Sequence, residues 1–286
     1  MNADLSPRSD DAQRAARELF RRARWNHWLG RRRAALALLR QAVDRADYSR
    51  AYTLMSRLAL PGEDYFRVLA RIHRYLRPRS YLEVGVSRGD SLESVLPETR
   101  VLGIDPAPNL ARPPSANVRI YRETSDDFFA KHDPRAELGG AAVELAFIDG
   151  MHHFEYALRD FINVERACAP GSVILIHDCY PLDERTARRE QVTGFWSGDI
   201  WRLMLLLRTL RPDLTVRTIA TPPTGLGIVL RPDPASRLLA DRLPELIAEY
   251  LAKDFGVLAG RQAEALGLIE NRWPVIRALL DARPGS

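Results

Sequence analysis

The stretch Glu83-Val84-Gly85-Val86-Ser87-Arg88-Gly89 decides the fold. It completes an apolar run over 81–86 that predicts a β-strand, and it leads into a predicted helix. Glycine at positions 85 and 89 lets the backbone turn tightly and come close to a ligand. The spacing is E-x-G-x-x-x-G, whereas dinucleotide-binding sites have G-x-G-x-x-G. A tight turn between a strand and a helix, with no ligand, is the simpler interpretation that the motif leaves open.

Two acids narrow the choice of ligand. Glu83 stands two residues before the first glycine, where a carboxylate repels a pyrophosphate and attracts a cationic group. Asp105 ends the next predicted strand, about twenty residues further on, where an acid can accept hydrogen bonds from ribose hydroxyls. The alternative for Asp105 is a turn residue before Pro106. Together the two acids favour a ligand that carries a ribose and a positive charge.

Short apolar runs alternate with helical stretches from Ser80 onward. The predicted strands are 81–86, 101–105, 118–121, 143–149, 172–177, 215–220 and 225–230. Such alternation indicates βαβ units and a parallel sheet. The link 221–224 between the last two strands is too short for a crossover helix, so these strands should form an antiparallel hairpin. The predicted fold is α/β, a doubly wound and mostly parallel seven-stranded sheet.

The sequence divides into three predicted parts. Residues 1–79 form a helical N-terminal extension, residues 80–232 the α/β domain, and residues 233–286 a helical C-terminal tail. Residues 1 to about 10 are polar and are expected to be disordered. Trp25 and Trp28 lie on a helical arm outside the sheet, which leaves apolar surface to cover. We therefore expect a homo-oligomer that forms through the N-terminal helices.

Charge and composition restrict the partners. The net charge is +5, and Lys131 and Lys253 are the only lysines among 42 basic residues. The basic cluster at 21–33 suits a solvated helix face, an anionic partner or a membrane surface; no nucleic-acid partner is predicted. No apolar run reaches the ~18–20 residues of a transmembrane helix, and the N-terminus has no apolar signal-peptide segment. We expect a cytoplasmic protein.

The loop after the third predicted strand contains Ser125 and Asp126. At the carboxyl edge of such a sheet, either side chain could bond the exocyclic amine of a purine. Ser125 suits the N-cap of the following helix equally well.

Two aspartates end neighbouring predicted strands. Asp149 ends the fourth strand and Asp178 the fifth, and the carboxyl ends of adjacent parallel strands lie side by side. With nearby imidazoles they could bind a divalent cation, and Mg²⁺ prefers the oxygens. A cation there orients a substrate hydroxyl and lowers its pKa, and His152 is placed to take the proton. The alternatives are aspartates that bond only water, cofactor or substrate, and a structural His152.

The segment 191–202 precedes the next predicted helix. Trp196 and Trp201 could stack on an acceptor ring or simply anchor the loop. Asp199 is predicted to cap the helix that follows.

Together these residues resemble the class I S-adenosylmethionine (SAM) dependent methyltransferases. Within that class they are similar to the metal-assisted O-methyltransferases, namely catechol O-methyltransferase, macrocin-type sugar O-methyltransferases and cephalosporin-hydroxylase-like proteins. The resemblance covers roughly residues 81–230 and rests on the glycine motif and on D-G-x-H-x-F-E at 149–155, followed by a strand that ends in His177-Asp178. The chain departs from the branch at Met151, His177 and Cys179.

The resemblance implies a SAM-dependent O-methyltransferase that acts on a hydroxyl of a sugar, glycan or small natural product. The predicted cofactor-binding residues are Glu83, Gly85, Ser87, Gly89, Asp105, Ser125, Asp126 and Asp149. The predicted ligands of Mg²⁺ or another divalent cation are Asp149, His177 and Asp178, and the predicted general base is His152. A non-catalytic SAM-fold binding protein and a nicotinamide-dependent oxidoreductase are the competing hypotheses, since fold alone does not settle function.

Overall fold

One sheet organises the computed structural model, which describes residues 10–284. Its strands are β1 (Ser80–Val84), β2 (Arg100–Ile104), β3 (Val118–Tyr121), β4 (Val143–Ile148), β5 (Cys168–Ile176), β6 (Thr215–Ile219), β7 (Leu226–Leu230) and β8 (Leu268–Ile269). Their order across the sheet is β3-β2-β1-β4-β5-β7-β6-β8. Strands β1 to β5 are parallel to one another, and β7 is antiparallel to both β5 and β6. The predicted α/β, doubly wound fold is confirmed; the prediction of disorder at the N-terminus falls on residues 1–9, outside the described part.

The far edge of the sheet corrects the predicted strand number. The expected β6–β7 hairpin is present and pairs Thr215 with Leu230. Beyond it, the tail adds β8 parallel to β6, with Leu268 beside Thr218. The described sheet therefore has eight strands rather than seven. Two residues are too few for the alternation of apolar and polar side chains that predicts a strand.

Helices cover both faces of the sheet and continue beyond its ends. They are α1 (Asp10–Trp28), α2 (Arg32–Arg45), α3 (Ser49–Ala59), α4 (Tyr65–Leu76), α5 (Ser125–Lys131), α6 (Pro134–Glu137), α7 (Phe154–Ala167), α8 (Trp201–Leu210), α9 (Leu238–Asp241), α10 (Leu243–Leu251), α11 (Gln262–Ala265) and α12 (Trp273–Asp281). The α-helix predicted after the glycine motif is wrong, because only a 3₁₀ turn, Ser91–Ser94, follows it. Pro97 and the early start of β2 leave no room for a longer helix.

The two faces of the sheet have separate cores because successive side chains of a strand point to opposite sides. Tyr81 lies in the core formed with α4 and α12, which includes Ile72 and Ile276. Its neighbour Leu82 lies in the core formed with α7 and α8, which includes Phe161 and Leu207. Parallel strands covered on both faces leave their carboxyl ends as the natural place for a ligand.

The first three helices form a third apolar cluster. Ala16 and Ala23 on α1 are fully buried against α2, and Tyr52 on α3 is buried as well. The division into extension, domain and tail stays a prediction, since α4 and the tail also pack on the sheet. No helix among residues 10–284 is long and apolar enough to span a bilayer.

Candidate active site

A cavity of about 930 Å³ opens at the carboxyl ends of β1, β2, β4 and β5. This is the size of a typical ligand site. The predicted site residues that line it are Gly85, Ser87, Asp105, Ser125, Asp126, Asp149, His152, His177 and Asp178. Glu83 and Gly89 are not among the lining residues. The fold thus brings most of the predicted cofactor and cation residues around one space.

Asp105 holds the turn that carries the glycine motif. Its Oδ2 accepts a hydrogen bond from the Ser87 backbone N–H at 2.7 Å, and its Oδ1 accepts one from Ala107 N–H at 2.8 Å. Ser87 has a φ of 48°, in the left-handed region that few non-glycine residues adopt. Each carboxylate oxygen can accept a further bond, so the turn role and the ribose role predicted for Asp105 are compatible.

Glycine is required at position 85 by the neighbouring strand. A Cβ there would lie 2.0 Å from the backbone oxygen of Asp149. The turn after β1 therefore packs directly on the end of β4, which joins the cofactor motif to the aspartate predicted to bind the cation.

Glu83 is fully buried and bonds two hydroxyl groups. It accepts hydrogen bonds from the Tyr81 hydroxyl at 2.7 Å and from the Ser91 hydroxyl. Burial raises its pKa to about 8, although both hydroxyl donors act in the opposite direction. The carboxyl group is thus mostly neutral at pH 7, and its direct contact with a cationic cofactor stays a prediction.

The loop after β3 differs in detail from the prediction. Thr124, not Ser125, caps α5. Ser125 lowers the pKa of the Asp160 carboxyl, and Asp126 accepts two hydrogen bonds from Arg159 at 2.8 and 2.7 Å. Sequence reasoning missed Asp160, which lines the cavity, is buried, and has a pKa raised by that burial to about 7. Its signal in the sequence is an acid on the apolar face of α7.

Asp149, His152 and Asp178 form an acid–imidazole cluster. One ligand atom from each lies within 4.8 Å of the others. His152 Nδ1 is 3.0 Å from Asp178 Oδ2, and His152 Nε2 is 3.5 Å from Asp149 Oδ1. His152 Nδ1 and Asp178 Oδ2 are nevertheless buried without a hydrogen-bond partner among residues 10–284. Buried polar atoms that converge without bonding fit a cation between them.

His177 lies against the two aspartates of the cluster. Its Nδ1 lies 3.2 Å from Asp149 Oδ1 and 3.3 Å from Asp178 Oδ2. Its ring packs against Tyr65, with 4.0 Å between the centroids. The role of His177 as a ligand of the cation stays a prediction.

The charges of the cluster depend on one another. Burial opposes protonation of His152, but the charges of Asp178 and Asp149 outweigh it and raise its pKa. The same balance raises the pKa of His177 well above its ordinary value. Burial would raise the pKa of Asp149, but His177 and His152 hold it below its ordinary value. The imidazoles and the carboxylates thus favour one another's charged forms, and a divalent cation would supply positive charge at the same place.

The backbone at the cluster is unusual. His152 has a φ of 52° and Asp178 a φ of 59°. Left-handed conformations cost energy for non-glycine residues and persist where the surroundings enforce them, often at functional sites. Here they turn both side chains toward the same point.

The segment between β5 and α8 holds His152 in place. The Trp196 ring stacks on the His152 ring at 5.3 Å, and Trp196 Nε1 donates to the Arg188 carbonyl at 2.7 Å. Asp199 N–H donates to the His152 carbonyl, and Asp199 Oδ1 accepts from Phe154 N–H at 2.6 Å. Asp199 therefore caps α7, and the prediction that it caps α8 is wrong, because the chain folds back over α7. Trp201 is fully buried and anchors the segment.

The N-terminal helices hold this segment in place. Asp47 Oδ2 accepts a hydrogen bond from Gly194 N–H at 2.9 Å, and the Tyr52 ring stacks on Phe195 at 5.5 Å. Gly194, Phe195 and Trp196 all line the cavity, so the extension contributes to the site. Tyr65 on α4 does so directly. These contacts join residues far apart in the chain, and no local pattern predicts them.

Part of the chain is similar to known methyltransferases. A family model described as a methyltransferase domain matches residues 82–179. The O-methyltransferase TomG from Streptomyces achromogenes, solved in complex with SAM, is similar at 18% identity and a TM-score of 0.46, over 59% of this chain and 80% of TomG. Cofactor-bound Rv0187 from MTB is similar at 18% identity and a TM-score of 0.44, over 64% of this chain and 87% of that chain. No curated protein sequence matches the chain.

The matched residues run from β1 to the end of β5 and include the glycine motif, Asp105 and the acid–imidazole cluster. The family match displaces the nicotinamide-dependent oxidoreductase hypothesis. With the strand order of the sheet, it indicates a methyltransferase domain over residues 82–179.

Proposed function

We propose that the protein transfers the methyl group of SAM to a hydroxyl oxygen of a sugar, glycan or small natural product, with the assistance of a divalent cation. The proposal depends on one observation, which is that the glycine motif with Asp105 and the acid–imidazole cluster line the same cavity. A cofactor held at the first set and an acceptor held at the second would meet within that cavity.

The reaction needs an oxygen nucleophile in line with the bond between methyl and sulfur. The O–CH₃ bond forms as the S–CH₃ bond breaks, and S-adenosylhomocysteine leaves. The proton of the hydroxyl moves to His152, which Asp178 and Trp196 hold in position. His152 can accept that proton only when its imidazole is neutral. The charged groups around His152 must therefore favour the neutral imidazole when the substrates are bound.

Asp149 and Asp178 would hold the cation, and carboxylate oxygens suit Mg²⁺ or Mn²⁺. When bound, the cation supplies positive charge that stabilises the acceptor oxygen as its proton leaves. His152 is the third member of the geometric group. It acts as the base if its Nε2 stays free of the cation, and as a ligand otherwise.

The walls of the cavity favour an acceptor with a flat or ring-shaped face. Tyr65, Phe66, Phe195 and Trp196 all contribute to the lining. Aromatic side chains pack well against sugar rings and aromatic rings alike.

Self-association through the N-terminal helices stays a prediction. The exposed Trp25 and Trp28 favour it. The arginines around them have the same charge on both copies and oppose it.

A methyl-transfer screen with labelled SAM tests the proposed function. The acceptors are glycans, free sugars and phenols, each with Mg²⁺ and with a chelator. We expect label on an acceptor oxygen, with less of it in chelator. SAM binding without transfer to any acceptor would favour the non-catalytic binding protein.

A further inference from the structure

The positive charge of the molecule is concentrated on its N-terminal helices. Residues 10–60 carry twelve arginines and five acidic residues, a net charge of +7, whereas the whole chain carries +5. Residues 19–43 include seven arginines and no acidic residue. This surface therefore dominates the attraction of the molecule for anions.

The turn between α1 and α2 presents uncovered apolar side chains. Trp25 is 61% exposed, Trp28 74% and Leu29 40%, and we call these three residues the apolar apex. The two indole rings stack on each other, with centroids 5.0 Å apart. A Cβ on Gly30 would meet no atom within 4 Å, so the turn projects clear of the rest of the described chain.

Arginines surround the apolar apex. The exposed ones are Arg21, Arg22, Arg24, Arg31, Arg32 and Arg33. Within residues 10–284, Arg21 is the one member of this set that pairs with a carboxylate, that of Glu18. Arg32 donates a hydrogen bond to the Leu58 carbonyl, and the guanidinium groups of the other four arginines are available to an anionic partner.

A groove of about 500 Å³ lies beside the apex, between α1 and α3. Phe20 and Leu54 supply apolar lining, and Arg24, Arg50 and Arg57 supply charge. None of these three arginines makes an ion pair within the part of the chain that the structure describes. An acidic head group attached to an apolar chain has the chemistry that such a groove accommodates.

We propose that the apolar apex and its arginines bind the protein to an anionic lipid surface. Interfacial helices combine tryptophan and leucine with arginine in this way, and tryptophan favours the boundary between lipid and water. A second copy would bring two like-charged surfaces together. A single-stranded nucleic acid stacks on free aromatic faces, whereas Trp25 and Trp28 stack on each other.

Vesicle sedimentation with the full chain tests the proposal. The probes are vesicles of phosphatidylcholine alone and vesicles with equal parts of phosphatidylcholine and phosphatidylglycerol. We expect binding to the anionic vesicles only, weakening as salt is added. Trp25→Ala with Trp28→Ala should lose most of it. Each arginine near an anionic leaflet raises the membrane-binding constant roughly fivefold. The three changes Arg24→Gln, Arg50→Gln and Arg57→Gln together should therefore weaken binding on the order of a hundredfold.

A matched control distinguishes vesicle binding by this surface from attraction by positive charge elsewhere on the protein. Arg74, Arg166 and Arg261 are exposed, lie elsewhere, and make no ion pair within residues 10–284. Their combined change to glutamine should leave vesicle binding nearly intact, and unchanged SAM affinity shows that every variant folds. Equal loss in this control, or no binding of the wild type to anionic vesicles, would overturn the proposal. So would a dimer or an oligonucleotide complex that depends on Trp25 and Trp28 while vesicles are ignored.

Discussion

At the scale of single residues, Asp105 holds the turn of the glycine motif and is the proposed partner of the cofactor ribose. Asp105→Ala removes acceptors for Ser87 N–H, for Ala107 N–H and for the proposed ribose hydroxyls. We expect SAM affinity measured by calorimetry to fall by about 1–3 kcal/mol. Asp233→Ala is a matched control, because Asp233 accepts from the N–H two residues on, at Ala235, but lies outside the cavity lining. Unchanged affinity in Asp105→Ala would remove Asp105 from the site.

His152 is the proposed general base. General-base assistance is worth about 10²–10⁴-fold in rate, so His152→Ala should lose that factor in turnover while it still binds SAM. His153→Ala is the control, since His153 bonds the Arg189 carbonyl and does not line the cavity. Turnover kinetics and calorimetry on both variants check this. A His152→Ala enzyme with wild-type turnover would refute the assignment of the base.

His73 should make stability depend on pH. It is fully buried beside Tyr81, and both ring nitrogens lack a hydrogen-bond partner within the described part of the chain. Burial lowers its pKa from 6.5 to about 4, because the charged form is disfavoured. The unfolded chain therefore binds the proton more readily, and this contribution to stability is complete above pH 6.5 and is lost as the pH falls toward 4.

The loss should reach on the order of 3 kcal/mol. Denaturant unfolding of the wild type and of His73→Leu at several pH values isolates it, because the other histidines are common to both proteins. Parallel stability curves for the two proteins between pH 6.5 and 4 would show that His73 does not carry this dependence.

At the scale of elements, the N-terminal helices should affect the acceptor more than the cofactor. Asp47→Ala removes the bond from α2–α3 to Gly194 N–H, which helps to hold Trp196 over His152. We expect kcat/KM for the acceptor to fall several-fold, by about 1 kcal/mol of lost hydrogen bonding, while SAM affinity is kept.

Asp44→Ala is the matched control for this prediction. Asp44 lies on α2 and pairs with Arg185 of the same segment, but its side chain is 68% exposed, and such surface pairs contribute little. Equal losses in Asp47→Ala and Asp44→Ala would mean that the bond to Gly194 has no special role.

The elements also show how far the sequence alone leads. Strands β1 to β7 were predictable because alternating apolar runs and helical stretches have a local signature. Strand β8 was not predictable, since its two residues pair with the neighbouring strand β6.

The residues of the site also fall into those that the sequence predicts and those that it does not. Asp149 and Asp178 could be placed together because the carboxyl ends of adjacent parallel strands meet. Tyr65 and the Asp47–Gly194 contact could not, because they depend on how distant helices pack.

At the scale of the whole molecule, the sheet places the predicted cofactor site and the acid–imidazole cluster at the same edge. The turn after β1 packs against Asp149 through Gly85, so the predicted cofactor site and the acid–imidazole cluster share a rigid boundary. Tyr65 and Phe66 of α4, which precedes the sheet, also line the cavity.

The function proposed for this cavity is transfer of the SAM methyl group to a hydroxyl with the help of a cation at Asp149 and Asp178. The most direct measurement is the turnover of labelled SAM on an accepted hydroxyl substrate, by the wild type and by Asp178→Asn, as Mg²⁺ is removed and restored. The wild type should lose most of its turnover in chelator and recover it with Mg²⁺. Asp178→Asn should be slow in both conditions while it still binds SAM. Full wild-type turnover in chelator, or an Asp178→Asn variant as active as the wild type, would contradict the account.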